Sequence, residues 1–233
     1  HLFEMARGVR KILADDAIFV FEVSYLPHII DRNLFDTIYH EHISYHTVIP
    51  LRSFLHRADL EIFDAVYIPT KGGSLRAFAQ IRGGSRKISP NVADLVGMEK
   101  KRGFNKPEAY KMFARNVDTA KAACIALATT FRNEGKRMAG YGASPTTTTL
   151  TYHFELADFL DCLIDDNPIK QHRFSPGLHM PVLPKDALAE REIDVAVILA
   201  WNYADPIIRN NKEFIARGGQ FAIPMPAARL CSE

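Results

Sequence analysis

The residues best suited to chemistry in this chain sit in one short run, Tyr39-His40-Glu41-His42, with Tyr45 and His46 close behind. Histidine titrates near neutrality, so an imidazole can take a proton from a substrate and release it within one turnover. A carboxylate beside it can fix its tautomer, and a tyrosine hydroxyl can donate to an oxygen that becomes negative. Together these groups suit abstraction of a proton next to a carbonyl. In an extended segment His40 and His42 share one face and Tyr39 and Glu41 the other, whereas a turn lets all four converge. Two other readings of the same residues stay open. They are hydrogen-bonded structural groups at a domain junction, or His-x-His with a nearby third histidine is part of a zinc site. No distant ligand set accompanies them, and the expectation is that no metal is bound.

A second segment, Gly140-Tyr141-Gly142-Ala143-Ser144-Pro145, follows an apolar run and opens a helical one. Glycines let a phosphate approach the backbone, and helix N-termini attract anions. Asp165 and Asp166 come at the end of the next apolar run, where a ribose-binding acid sits in dinucleotide folds. The third glycine of G-x-G-x-x-G is absent, however, and Pro145 follows Ser144. Ser144 as N-cap with Pro145 at the first helical position explains the same residues structurally. A general phosphate cradle is therefore a better reading than an NAD site.

Several elements must position these groups. Leu2, Met5, Val9 and Leu13 recur at helical spacing, and Ala17–Val23 reads as a strand. That pair is expected to be the tail of a larger α/β domain that begins upstream. Tyr25–Asp31 reads as a short helix. Leu60–Ile68 and Leu75–Ile81 read as two strands joined through Thr70-Lys71-Gly72-Gly73-Ser74, a hairpin signal. From 91 to 135 the pattern is helical, interrupted at Pro107, and forms long bridging helices. From 136 onward strands alternate with helices, which implies a doubly wound parallel sheet because parallel strands need crossovers. The expected organisation is 1–90, 91–135 and 136–233.

Composition narrows the class. The 233 residues are 47% hydrophobic and 24% charged, with 29 Lys and Arg against 27 Asp and Glu. A formal charge of +2, with no long run of one sign, offers no nucleic-acid surface. The longest apolar stretch, Val195–Trp201, falls far short of the roughly 20 residues that span a bilayer. Cys124, Cys162 and Cys231 make an odd count without C-x-x-C, so a reducing cytoplasm is the expected compartment.

FDTIYHEHISY, GGSLR, GYGAS, IDDNPIKQHRFSPGLHMPV and ILAWNYADPII, in this order, resemble the sugar C-methyltransferases that act on nucleotide-linked keto-deoxysugars. The resemblance implies an α/β fold with a Rossmann-like C-terminal domain, preceded by the tail of a methyltransferase domain and a small mixed α/β region. It implies S-adenosylmethionine as methyl donor, with most of that site absent from this chain. It implies that His42 is the base, that Glu41 orients it or meets the sugar, and that Tyr39 hydrogen-bonds the substrate or its enolate. The enolate carbon then attacks the methyl group. His40, Gly73, Ser74, Gly142, Ser144, Lys170, Arg173 and Asn202 are the expected substrate contacts. Relatives often carry Ala-Lys-Gly after Gly-Ala-Ser, where this chain has Pro145-Thr146-Thr147. An alternative from another class is a non-catalytic module that retains a nucleotide-sugar cleft without a complete cofactor site.

Overall fold

Two compact units account for residues 1–69 and 73–231, which the computed structural model describes. One comprises His1–Leu34 with Ser44–Ala114, and the other Phe35–Ile43 with the chain from Arg115 onward. The first is built on α1 (Leu2–Ile12), β1 (Phe19–Ser24), α2 (Leu26–Asp31), α3 (Val48–Arg57), β2 (Leu60–Ile68), β3 (Ser74–Ile81), α4 (Pro90–Lys101) and the start of α5 (Pro107–Asn133). Its strands form an antiparallel sheet in the order β1-β3-β2, with a register shift between Ile62 and Asp64. Leu60, Ile62, Leu75, Ala77 and Ala79 of the sheet share a core with Ala6 of α1, Val48, Leu51 and Leu55 of α3, and Val92 of α4. Each large side chain buried there contributes about 1.5–3 kcal/mol.

β1 differs from its sequence reading. Its residues alternate between half-buried and exposed where a buried strand was expected, and among the described residues its partner is β3 of the same unit. Alternation of this kind marks a strand with one face on the core, which suits antiparallel pairing. The hairpin of β2 and β3 forms as expected, although Thr70–Gly72 of its connection lie outside the described residues. α3 is an element that the sequence reading passed over.

The second unit takes the rest of α5, then β4 (Met138–Tyr141), α6 (Pro145–His153), β5 (Leu163–Ile164), β6 (Arg173–Phe174), β7 (Pro181–Leu183) and α7 (Ala187–Glu190). It continues with β8 (Val195–Ile198), α8 (Ala204–Asn210), α9 (Lys212–Ala216), β9 (Gln220–Ile223) and β10 (Arg229–Cys231). Among the described residues its sheet has seven strands in the order β10-β9-β8-β4-β5-β7-β6. The five central strands are parallel, and β10 and β6 pair antiparallel at the edges. The fold is thus α/β, with a mixed sheet where an all-parallel one was expected. β4 and β8 are buried along their whole length, as central parallel strands covered on both faces must be. The chain leaves β4 toward β5 and β7, then returns to its other side for β8 and β9. In such sheets ligands bind beyond the carboxyl ends of the strands.

Candidate functional site

The segment 35–43 belongs to the second unit and is fastened to it at three points. Phe35, in a 3-10 turn at Phe35–Thr37, stacks on Phe154 with ring centroids 5.2 Å apart. The Ile38 carbonyl accepts a hydrogen bond from Thr149 Oγ1 of α6 at 3.3 Å. Asp36 Oδ2 accepts the indole N–H of Trp201, in the 3-10 turn after β8, at 2.8 Å. Beyond these anchors the chain turns sharply, with the His42 amide donating to the Tyr39 carbonyl at 2.9 Å.

That turn brings Tyr39 and His42 together. Their rings are 4.4 Å apart, and the Tyr39 hydroxyl is 3.3 Å from His42 Nε2. On the other side of the ring, Nδ1 lies 2.9 Å from the Thr37 carbonyl oxygen. A carbonyl only accepts, so Nδ1 carries the proton and Nε2 presents its lone pair toward Tyr39. Burial and the neighbouring Glu41 carboxylate both raise the Tyr39 pKa, which keeps the phenol protonated and able to donate. Glu41 itself is exposed, with its carboxylate 3.9 Å from His40 Nε2. The group that orients His42 is therefore the Thr37 carbonyl, which no pattern of side-chain types could reveal.

A cavity of about 490 Å³ opens within the same unit, beyond the ends of β4, β5 and β7. Tyr39 and His40 form part of its wall, and Ser144, Lys170, Arg173 and Phe174 contribute from the loops and the edge strand. The helix after β4 adds Thr147, Thr148 and Thr149. Phenol, hydroxyls, two cations and an exposed phenylalanine ring make a wall that can hold a polar anionic ligand with one flat apolar part. His42, Glu41, Gly142 and Asn202 are outside that wall, and Gly73 and Ser74 belong to the first unit. Gly73 has φ of 128° and sits against His28, and Ser74 is buried where β3 begins. Tyr45 and His46 are likewise in the first unit, where His46 bridges to Tyr25.

The glycine loop is explained by packing. A Cβ at Gly140 would meet Leu199 and Leu163 at 2.5 and 2.7 Å, and one at Gly142 would meet Ala200 at 2.7 Å. Gly142 also has φ of 110°, which favours glycine. The Gly142 amide donates to Ile164 O, the Ala143 amide to Asp165 Oδ2, and the Thr147 amide to the Ser144 side chain. Few loop amides remain for a phosphate, so Lys170 and Arg173 are the groups left to attract one. Asp165 is equally occupied, because it accepts from Ala143 N, Asn167 N and Lys170 Nζ. It is a structural hub rather than a ribose-binding acid, and these residues do not fit a dinucleotide. Among the described residues no group of three His, Cys, Asp or Glu is arranged to hold a metal ion. None of the described helices is long and apolar enough to cross a membrane.

Comparison with known proteins agrees with this architecture. A family model described as C-methyltransferase C-terminal domain matches residues 69–226. The C-methyltransferase NovU of Streptomyces niveus is 32% identical over 232 residues, covering 99% of this chain and 55% of the relative. The chain thus spans about half the length of that relative. The Tyr39–His42 run precedes the family match but falls inside the aligned relative. A match across two thirds of the chain, over the long helix and six of the seven strands of the larger sheet, places the protein in the C-methyltransferase C-terminal domain family.

Proposed function

We propose that this protein takes part in methylation at the carbon beside the ketone of a nucleotide-linked keto-deoxysugar, and that His42 is the base. The observation that carries this reading is the Nδ1–H bond from His42 to the Thr37 carbonyl, which leaves Nε2 as the basic nitrogen next to Tyr39. Substrate enters the cavity, and the Tyr39 hydroxyl passes from Nε2 to the substrate oxygen. The freed lone pair then takes the α-proton as the C–H electrons move into the enolate, whose oxygen accepts the Tyr39 hydrogen bond. Lys170 and Arg173 attract the diphosphate, Ser144 and His40 contact its neighbours, and Glu41 adds to the burial that raises the Tyr39 pKa. Gly142 and Asn202 are not among the residues that line the cavity, and Gly73 and Ser74 belong to the first unit, so none of the four is assigned a contact here. S-Adenosylmethionine, when bound, supplies an electrophilic methyl group to the nucleophilic carbon, and no residue of this chain is assigned to hold it.

Deuterium exchange at the α-carbon of a nucleotide-linked keto-deoxysugar tests the base. His42→Asn is expected to slow exchange by at least about 100-fold, the lower end of a positioned base's contribution, and to leave sugar binding intact. Exchange at the parent rate removes His42 from the role. A second reading, a nucleotide-sugar-binding module without catalysis, is favoured by the position of His42 outside the cavity wall that Lys170 and Arg173 line. Calorimetry distinguishes the two. Binding of the nucleotide-sugar alone supports the module, and binding of both ligands supports the enzyme.

A further inference from the structure

The turn that orients His42 depends on a buried carboxyl that the mechanism above does not use. Asp36 is 1% exposed, and its only side-chain partner among the described residues is Trp201. Its other oxygen, Oδ1, is buried without a hydrogen-bond partner. Burying half a carboxylate unpaired is costly, and such a group persists where the surrounding structure holds it for another reason. The next residue supplies that reason. Thr37 carries the carbonyl that takes the His42 Nδ1 proton, so any rotation of the 3-10 turn moves the acceptor and releases the ring. Phe35 and Ile38 fasten the ends of the turn to α6 through the Phe154 stack and Thr149. The Asp36–Trp201 bond ties its middle to the turn after β8.

The geometry points to Asp36 as a positioning residue for His42, acting with Trp201 to hold the Thr37 carbonyl that sets the imidazole tautomer. The inference builds on the reading of His42 as the base, but the arrangement can be tested apart from it. Among the described residues no charged group acts on the carboxyl from the elements packed on it. α6 brings His153, whose ring lies against Phe35, and the turn after β8 brings the Trp201 indole. Burial, opposed by N–H donors from Trp201, Asp36 and Thr37, raises the Asp36 pKa to about 6.

Trp201 is the sole tryptophan of the sequence, so its indole N–H is a single reporter. In the 233-residue chain the indole 15N–1H resonance is expected to shift with a midpoint near pH 6 and to stay flat in Asp36→Asn. An indole resonance that neither titrates in the parent chain nor differs between the parent and Asp36→Asn overturns the pairing. Long-range 15N–1H spectra at pH 7.5 then report the His42 tautomer. Nδ1–H is expected in the parent and in Asp36→Asn, whose amide oxygen still accepts from the indole. In Trp201→Phe and Asp36→Ala the ratio of Nδ1–H to Nε2–H is expected to fall by about fivefold, the ratio that a single hydrogen bond sustains. An unchanged ratio in either folded variant overturns the inference. If His42→Asn leaves proton exchange intact while the tautomer still follows Asp36, the base reading fails and the positioning role stands.

Discussion

An imidazole serves as a base at a chosen atom only when its other nitrogen is held, and in this chain a backbone carbonyl does the holding. His42 was legible from the sequence as a candidate because titratable types crowd around it. Thr37 was invisible, since every residue carries a carbonyl and only folding decides which one meets Nδ1. Tyr39 sits where both roles meet, with its hydroxyl on Nε2 and its ring at the cavity wall. Asp36 carries no signal of its own in the sequence, and its burial is a consequence of tertiary packing. Its pKa in the folded chain is about 6 against 3.8 for an ordinary carboxyl, so the native state binds that proton more tightly. The resulting stabilisation is complete below about pH 3.8 and is lost as pH rises through about 6. The full difference is about 3 kcal/mol. Urea titrations of the parent and Asp36→Asn at about pH 4 and about pH 7 check the sign. The parent is expected to lose up to about that much stability relative to the variant between the two pH values. An equal difference at both would place Asp36 in contact with water.

Elements fail to be read for reasons that are themselves physical. α3 contains Pro50, which reads as a helix breaker, yet Pro50 falls in the first turn, where its missing N–H costs nothing. Its N-cap, Thr47, makes no side-chain cap bond. The amides of Val48 and Ile49 instead donate to the carboxylate of Glu99, at 2.6 and 2.9 Å. Glu99 is fully buried on α4 and also accepts the Tyr25 hydroxyl at 2.8 Å. Burial and that carboxylate together raise the Tyr25 pKa, so the phenol remains a donor. A negative group at a helix N-terminus complements the positive end of its dipole. Glu99→Ala leaves three donors unpaired in the core and is expected to destabilise the first unit by about 3 kcal/mol. Denaturant midpoints measure the loss, and faster exchange of the Val48 and Ile49 amides locates it. In the second unit Asn211 breaks one expected helix into α8 and α9. Its side chain bonds the Tyr141 hydroxyl and the Ile207 carbonyl instead.

At the scale of the whole molecule, the second unit gathers a cavity from loops that are far apart in sequence. Lys170 follows β5, Arg173 begins β6 and Ser144 opens α6, and the strand order alone brings them to one wall. Lys170 divides its protons between Asp165 and the cavity, whereas Arg173 is exposed and its side chain forms no hydrogen bond or ion pair among the described residues. Arg173→Ala is therefore expected to weaken nucleotide-sugar binding more than Lys170→Ala, each by at least about threefold, because charge-assisted hydrogen bonds exceed neutral ones. Calorimetry at two salt concentrations checks both the order and its electrostatic origin, and equal affinity for all three proteins would return these cations to the solvent. The sequence by itself determined the α/β alternation, the hairpin, the interruption at Pro107 and the run of proton-transfer groups, because periodicity and residue type are local properties. Tertiary structure alone decided the antiparallel edges, the partner of β1, the packing role of Gly140 and Gly142, and the bond from His42 to the Thr37 carbonyl. Each of those depends on which distant backbone comes within hydrogen-bond or van der Waals reach, and no local pattern encodes that.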